Sequence, residues 1–181
     1  MSDISSLMII AITSSDIVHE EDIIISSILE EKRAHYVHIR KPYWDCGQTR
    51  KLIRRIPEKF HPQLKLHDHF SLLKEFNIGG VHLNNRNPVP LGDARNISKS
   101  VHSLAELKDI QNFEYVTLSP IYESISKPGY KSDFNLIEVK QAINRKRVVA
   151  LGGITPDKFP ELIDLGFFGA AMLSYFWPQK K

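Results

Sequence analysis

The chain has 181 residues, with 24 Lys and Arg against 21 Asp and Glu, a formal charge of +3; 42% is hydrophobic and 25% charged. These are the values of an ordinary globular chain, and they exclude a nucleic-acid tail or a membrane-surface patch. One cysteine, Cys46, excludes a disulfide framework or a thiolate zinc cage.

The length fits a single domain over residues 1–181. The first apolar run, residues 7–12, has no basic residue before it. It is too short for a signal-peptide core or a membrane span, which points to a cytoplasmic protein without a membrane partner. Residues 8–12 form a continuous apolar run, the pattern of a strand buried on both faces. Residues 20–32 read as a helix with Ile24 and Ile28 on its apolar stripe. Residues 36–40 are a second strand stopped by Pro42. Asp45 caps a helix that runs through Leu52 and Ile56 to Pro57. Residues 64–67 are a third strand, and residues 70–76 a short helix closed by Asn77 and Gly79. Residues 80–83 are a fourth strand, followed by a loop over 84–92. Residues 95–99 are a fifth strand and 104–110 a helix.

Residues 115–118 are a sixth strand, and 119–133 a long loop with Pro120, Pro128 and Gly129. Asn135 caps a helix over 136–143. Residues 148–151 are a seventh strand, stopped by Gly152 and Gly153. Thr155 and Pro156 open a helix to Leu165, and residues 169–173 are an eighth strand. Eight strands alternating with seven helices predict an α/β fold, a (β/α)8 TIM barrel. An open doubly wound sheet is the structural alternative. Eight residues follow Leu173, so the barrel lacks room for a full final helix. An apolar seam exposed there would favour a homodimer.

In such barrels function gathers at the C-terminal ends of the strands. His38 and Arg40 end the second strand, His67, Asp68 and His69 the third, and His82, Asn84 and Asn85 the fourth. Ser100 and His102 follow the fifth, Ser119 the sixth and Ser174 the eighth. A polar barrel mouth suits histidine without any function, but the ensemble points to a site. Gly152-Gly153 precedes a helix after strand seven, where backbone N–H groups cradle phosphate. A plain strand-to-helix turn is the bland alternative. His67 and His69, two apart on a strand, would share a face and invite a zinc reading. No third and fourth ligand stand out, so a metal-dependent hydrolase is a minor alternative. Cys46 as a nucleophile has no base that can be placed.

Seven segments, in this order, carry a resemblance: Val37-His38-Ile39-Arg40, Gly80-Val81-His82-Leu83, Ser100-Val101-His102-Ser103-Leu104, Ser119-Pro120-Ile121-Tyr122, Ser126-Lys127-Pro128-Gly129, Ala150 to Pro156, and Gly169 to Ser174. From Ile9 to Ser174 the chain resembles thiamine-phosphate synthase and its relative, the TenI-like thiazole tautomerase. The resemblance implies a (β/α)8 barrel acting on small phosphorylated molecules, with no nucleic-acid partner.

For the synthases it implies a Gln-x-Arg-x-Lys end to strand two that holds the pyrimidine pyrophosphate. Here His38, Arg40 and Pro42 stand there, so the arginine is kept, with Lys41 adjacent. The synthase Asn-Asp-Arg end of strand three is His67-Asp68-His69 here, which makes Asp68 the candidate Mg2+ ligand. The second Mg2+ carboxylate corresponds to the neutral Asn87. Ser124, Ser126 and Lys127 keep the polar loop after strand six.

For the tautomerases it implies His-Ile-Arg at strand two and Ser-Val-His-Ser after strand five. Both are present, the second as Ser100 to Ser103. His102 is then the acid/base, as moving a ring double bond needs a proton taken and a proton given. Gly152, Gly153 and Ser174 would hold the substrate phosphate, with His38, Arg40, His67 and Ser100 lining the rest of the site. On these two motifs the tautomerase, which needs no cofactor, ranks first. The alternative is a Mg2+-dependent synthase joining hydroxymethylpyrimidine pyrophosphate to thiazole phosphate with release of pyrophosphate. A third reading is a non-catalytic phosphate-ligand-binding barrel.

Overall fold

The computed structural model describes residues 7–92, 94–123 and 132–177. Eight parallel strands close into a barrel in chain order: β1 (Met8–Ile12), β2 (Tyr36–Ile39), β3 (Leu64–Leu66), β4 (Gly80–Leu83), β5 (Ser98–Val101), β6 (Tyr115–Leu118), β7 (Val148–Leu151) and β8 (Gly169–Met172). Closure is made by β1 and β8, with Met8 opposite Gly169 and Ala11 opposite Met172. That ring is the (β/α)8 architecture and removes the open-sheet alternative.

Four α-helices lie between strands: α1 (Glu21–Glu30), α2 (Cys46–Arg55), α3 (Leu136–Ile143) and α4 (Phe159–Leu165). The α2 start is a reciprocal cap. The Asp45 carboxylate accepts the Gln48 N–H at 2.7 Å, and the Gln48 side chain accepts the Asp45 N–H at 2.9 Å. Asn135 caps α3 by accepting the Ile137 N–H. Gly166 ends α4 with φ 91, a left-handed value glycine adopts without strain.

Two expected helices are 3-10 turns instead, Phe70–Lys74 and Ala105–Asp109. Such short segments offset the cost of helix nucleation poorly. The fifth strand is also displaced, from 95–99 to Ser98–Val101. Asn96 sits at φ 48, which breaks an extended chain there. After β8 the described residues run into a turn rather than a helix. Phe176 and Trp177 are buried, and Trp177 Nε1 donates to the Ile12 carbonyl at 2.6 Å. The Trp177 ring is thereby held at the end of β1.

Residues two apart on a strand share a face, and the barrel interior follows from that rule. Met8, Ile10 and Ile12 pack inside with Val149 and Ala171, an apolar half. The other half is polar, with His38, Lys65, His67, His82 and Ser98 all buried. Lys65 Nζ bonds Glu114 and the Asn96 carbonyl. Burial pushes its pKa down and the Glu114 carboxylate pulls it back up. A buried cation of this kind is retained only with such a partner. Among the described residues no helix is long and apolar enough to cross a membrane.

Candidate active site

A cavity of about 780 Å³ opens at the C-terminal ends of the strands. Two continuous stretches form one side of it, residues 151–155 after β7 and residues 171–175 at the end of β8. Here the backbone itself is the wall. Gly152 and Gly153 have φ values of 96 and 62. A Cβ on Gly152 would lie 2.8 Å from Pro120 Cα, and one on Gly153 would lie 2.8 Å from Tyr122 Cβ. Both the conformation and the packing therefore demand glycine. Gly152→Ala is expected to cost about 2 kcal/mol or more, from strain plus overlap. In a chain of this size that lowers Tm by about 4–8 °C. A melting curve matching the wild type would contradict the strain assigned to this turn.

The opposite side of the cavity is cationic and imidazole-rich. Arg40, His67, His82, Arg86, Ser100 and His102 all line it. Arg40 leaves the end of β2 with its backbone fixed by Thr13, whose hydroxyl accepts the Arg40 N–H at 2.8 Å and donates to its carbonyl at 3.2 Å. His102 is at the exposed rim, its Nδ1 3.2 Å from both the carbonyl and the hydroxyl of Ser119. Its loop is anchored by Glu106, which accepts the His102 backbone N–H and the Ser103 hydroxyl at 3.0 Å each.

Below the cavity lies a cluster of three histidines. His38 is wholly buried and is not part of the wall, contrary to its expected substrate contact. Its Nε2 is 2.7 Å from the Tyr115 hydroxyl and its Nδ1 2.9 Å from His67 Nε2. The two ring nitrogens of His82 meet the Ser98 and Ser100 hydroxyls at 2.9 and 2.8 Å. Burial is the leading cause that holds His38 and His67 well below the usual 6.5, with the neighbouring rings adding to it. Burial, helped by Lys65, pushes His82 down to about 3. All three rings are therefore neutral at pH 7.

The His67-x-His69 pair is not formed. β3 ends at Leu66, and His69 takes φ 56, turning its Nε2 to the Trp44 carbonyl at 2.8 Å. Strand alternation holds only while the strand lasts. Asp68 is not on the cavity wall. Arg86 bonds both its oxygens at 3.1 and 3.2 Å, and Asn87 Nδ2 donates to it at 2.8 Å. Gly152, Gly153, Ser174, Arg40, His67, Ser100 and His102 are thus brought to one cavity, while His38 and Asp68 stand behind it. Ser124, Ser126 and Lys127 lie outside the described residues. His82, named among the strand-end residues, also lines the wall, and Arg86 is a wall residue that the sequence does not single out. The available signal for Arg86 was a lone cation in the Asn-rich loop after strand four.

The TMP-TENI family model, described as "Thiamine monophosphate synthase", matches residues 9–176. A solved structure described as thiamine phosphate pyrophosphorylase from Bacteroides thetaiotaomicron is 37% identical. It aligns over 92% of this chain and 83% of its own, with a TM-score of 0.81. Thiamine-phosphate synthase 1 of Aquifex aeolicus (strain VF5) is 28% identical over 132 residues, 67% of this chain. Thiamine-phosphate synthase of Synechococcus sp. (strain CC9605) is 28% identical over 70% of this chain. The matches span 61% and 38% of those two curated relatives' own lengths. With a family model covering nearly every residue from β1 to Phe176, and the barrel and its cavity in place, the chain belongs to the thiamine monophosphate synthase family.

Proposed function

We propose that the chain is a thiamine-phosphate synthase, joining hydroxymethylpyrimidine pyrophosphate to thiazole phosphate. One observation carries this reading: a single cavity is lined by the Gly152-Gly153 turn on one side and by Arg40 and Arg86 on another. The Gly152-Gly153 turn after β7, with Ser174 after β8, suits one phosphate. Arg40 after β2 and Arg86 after β4 lie across the closed ring from β7 and suit a second, more highly charged group. A condensation of two phosphorylated molecules needs both. The thiazole nitrogen attacks the pyrimidine methylene carbon, the carbon–oxygen bond to pyrophosphate breaks, and pyrophosphate leaves with that electron pair. The chain's residues hold the two rings together and neutralise the leaving group, which is where positioned cations lower a barrier. His67 presents a neutral imidazole to the cavity, which adds no charge beside a heterocycle, while both His82 nitrogens are held by serine hydroxyls.

The resemblance also implies Mg2+ on a carboxylate pair, and the residues here do not fit that arrangement. Mg2+ requires several oxygen donors at about 2.1 Å. Asp68 is one carboxylate, Asn87 beside it donates rather than accepts, and a guanidinium already grips both Asp68 oxygens. No step is therefore assigned to the ion. Arg86 occupies the place of the missing cation charge.

The test is a synthase assay with both substrates, with Mg2+ and with chelator, read as thiamine phosphate by chromatography. Product is expected in both conditions, with chelator costing less than about tenfold if guanidinium groups carry the charge. No product from folded protein that still binds thiazole phosphate would end the synthase reading. The tautomerase is the second reading, favoured by one observation: His102 lines the cavity beside Ser119. It requires turnover of a thiazole phosphate tautomer alone, lost in His102→Ala.

A further inference from the structure

We propose that His38, His67 and His82 form a site for one divalent transition-metal ion, of the Zn2+ or Co2+ type, at the floor of the cavity. The site does not depend on which reaction the cavity performs. Each residue offers one ring nitrogen, and the three nitrogens all lie within 4.8 Å of one another. The residues come from three adjacent strand ends, β2, β3 and β4, so the barrel itself brings them together. Metal–imidazole bonds of about 2.1 Å place the centroids of rings sharing an ion about 5 Å apart. The His38 ring is 5.1 Å from His67 and 4.9 Å from His82, which fits. His67 and His82 are stacked at 4.3 Å and need to open by less than about 1 Å.

The donor set decides the class of ion. Three neutral imidazoles and no carboxylate suit Zn2+, Co2+ or Ni2+ and not Mg2+, which wants oxygen. The outer contacts are also of the right kind. Metal-bound histidine donates its other N–H to a fixed acceptor. His38 has the Tyr115 hydroxyl on Nε2, leaving Nδ1 for the ion. His82 has a serine hydroxyl on each nitrogen, so one remains whichever nitrogen binds. The ion would replace the hydrogen bond between His38 Nδ1 and His67 Nε2 and one of the two serine hydrogen bonds of His82. His67 and His82 line the cavity, which gives the ion an entry path and an open fourth position toward the cavity. Three protein ligands with one open position is the pattern of an accessible zinc site rather than a closed structural one.

The experiment is a Co2+ titration of the chelator-stripped full chain, followed by optical absorption. We expect one Co2+ per chain, an intense visible band of four-coordinate cobalt, displacement by one equivalent of Zn2+, and no displacement by millimolar Mg2+. His67→Ala and His82→Ala should abolish the band, and His69→Ala should leave it intact. Tyr115→Phe, which keeps all three ligands, should weaken Co2+ binding about tenfold or more. Wild-type protein without the band overturns the proposal. So does a band that survives His67→Ala, or, if the histidine variants do not fold, unchanged Co2+ affinity in Tyr115→Phe.

Discussion

Stripped of metal, the protein is expected to lose thermal stability steeply as the pH falls from about 6.5 toward 5. The cause is the buried histidine cluster. In the unfolded chain His38, His67 and His82 take up protons near the ordinary histidine value of about 6.5. In the folded barrel burial holds all three lower, His82 at about 3. Between those limits the unfolded state binds more protons than the folded one, so stability rises with pH. Their contribution is complete above pH 6.5 and is lost as the pH falls toward the folded values. Each neutral ring costs about 1.4 kcal/mol per pH unit below 6.5, so three cost on the order of 4 kcal/mol by pH 5.5. That is a large share of a typical 5–15 kcal/mol, and lowers Tm by roughly 8–16 °C. Thermal melts from pH 7.5 to 5.0, with chelator present, check this. A Tm flat across that window would mean that protons reach the rings without unfolding the barrel.

The barrel was legible because its strands announce themselves. Met8–Ile12 and Val148–Leu151 are largely buried on both faces and therefore apolar without interruption. β5 was misplaced because its inward residues are Ser98 and Ser100, which serve His82 rather than an apolar core. A strand whose interior face is polar carries no hydrophobic signature. His38 was assigned to the cavity wall from its neighbourhood to Arg40, but it shares the inward face with Tyr36 below the cavity. Its partner Tyr115 is 77 residues away, so no local pattern could reveal the contact. The same holds for Trp177 and the Ile12 carbonyl, 165 residues apart. The Gly152-Gly153 turn at the cavity, in contrast, was readable, because two consecutive glycines after an apolar strand are a local statement about backbone conformation. The Arg86 grip on Asp68 was not, because a resemblance supplies an expected carboxylate but not the cation that reaches it from the next loop.

Replacing Arg40 by alanine is expected to cut kcat/KM for the pyrimidine pyrophosphate by about 10²–10³-fold. That corresponds to roughly 2.7–4 kcal/mol, the usual loss when a positioned donor to developing negative charge is removed. Arg40 is singled out over its neighbours by what each is already bonded to. Arg86 is paired with Asp68, so part of its charge is spent. Lys41, adjacent in sequence, cannot substitute. It is almost wholly buried, with Nζ on Glu21 at 2.7 Å and on the Asp16 carbonyl at 2.8 Å. The Arg40 guanidinium lines the cavity, and the nearby Asp68 carboxylate acts on it electrostatically. Burial, with Arg86 nearby, lowers its pKa, but from 12.5 that leaves a cation at neutral pH. Arg40→Lys should recover only part of the rate, because an ammonium cannot reproduce the planar two-point grip on phosphate oxygens. Binding of thiazole phosphate should stay within about twofold in both variants, because the glycine cradle lies across the barrel and additivity holds for distant sites. Steady-state kinetics on the pyrophosphate, with calorimetric binding of thiazole phosphate, separate the outcomes. An unchanged kcat/KM in Arg40→Ala would leave the cationic side without a substrate, and the one-phosphate chemistry of His102 would then account better for the cavity.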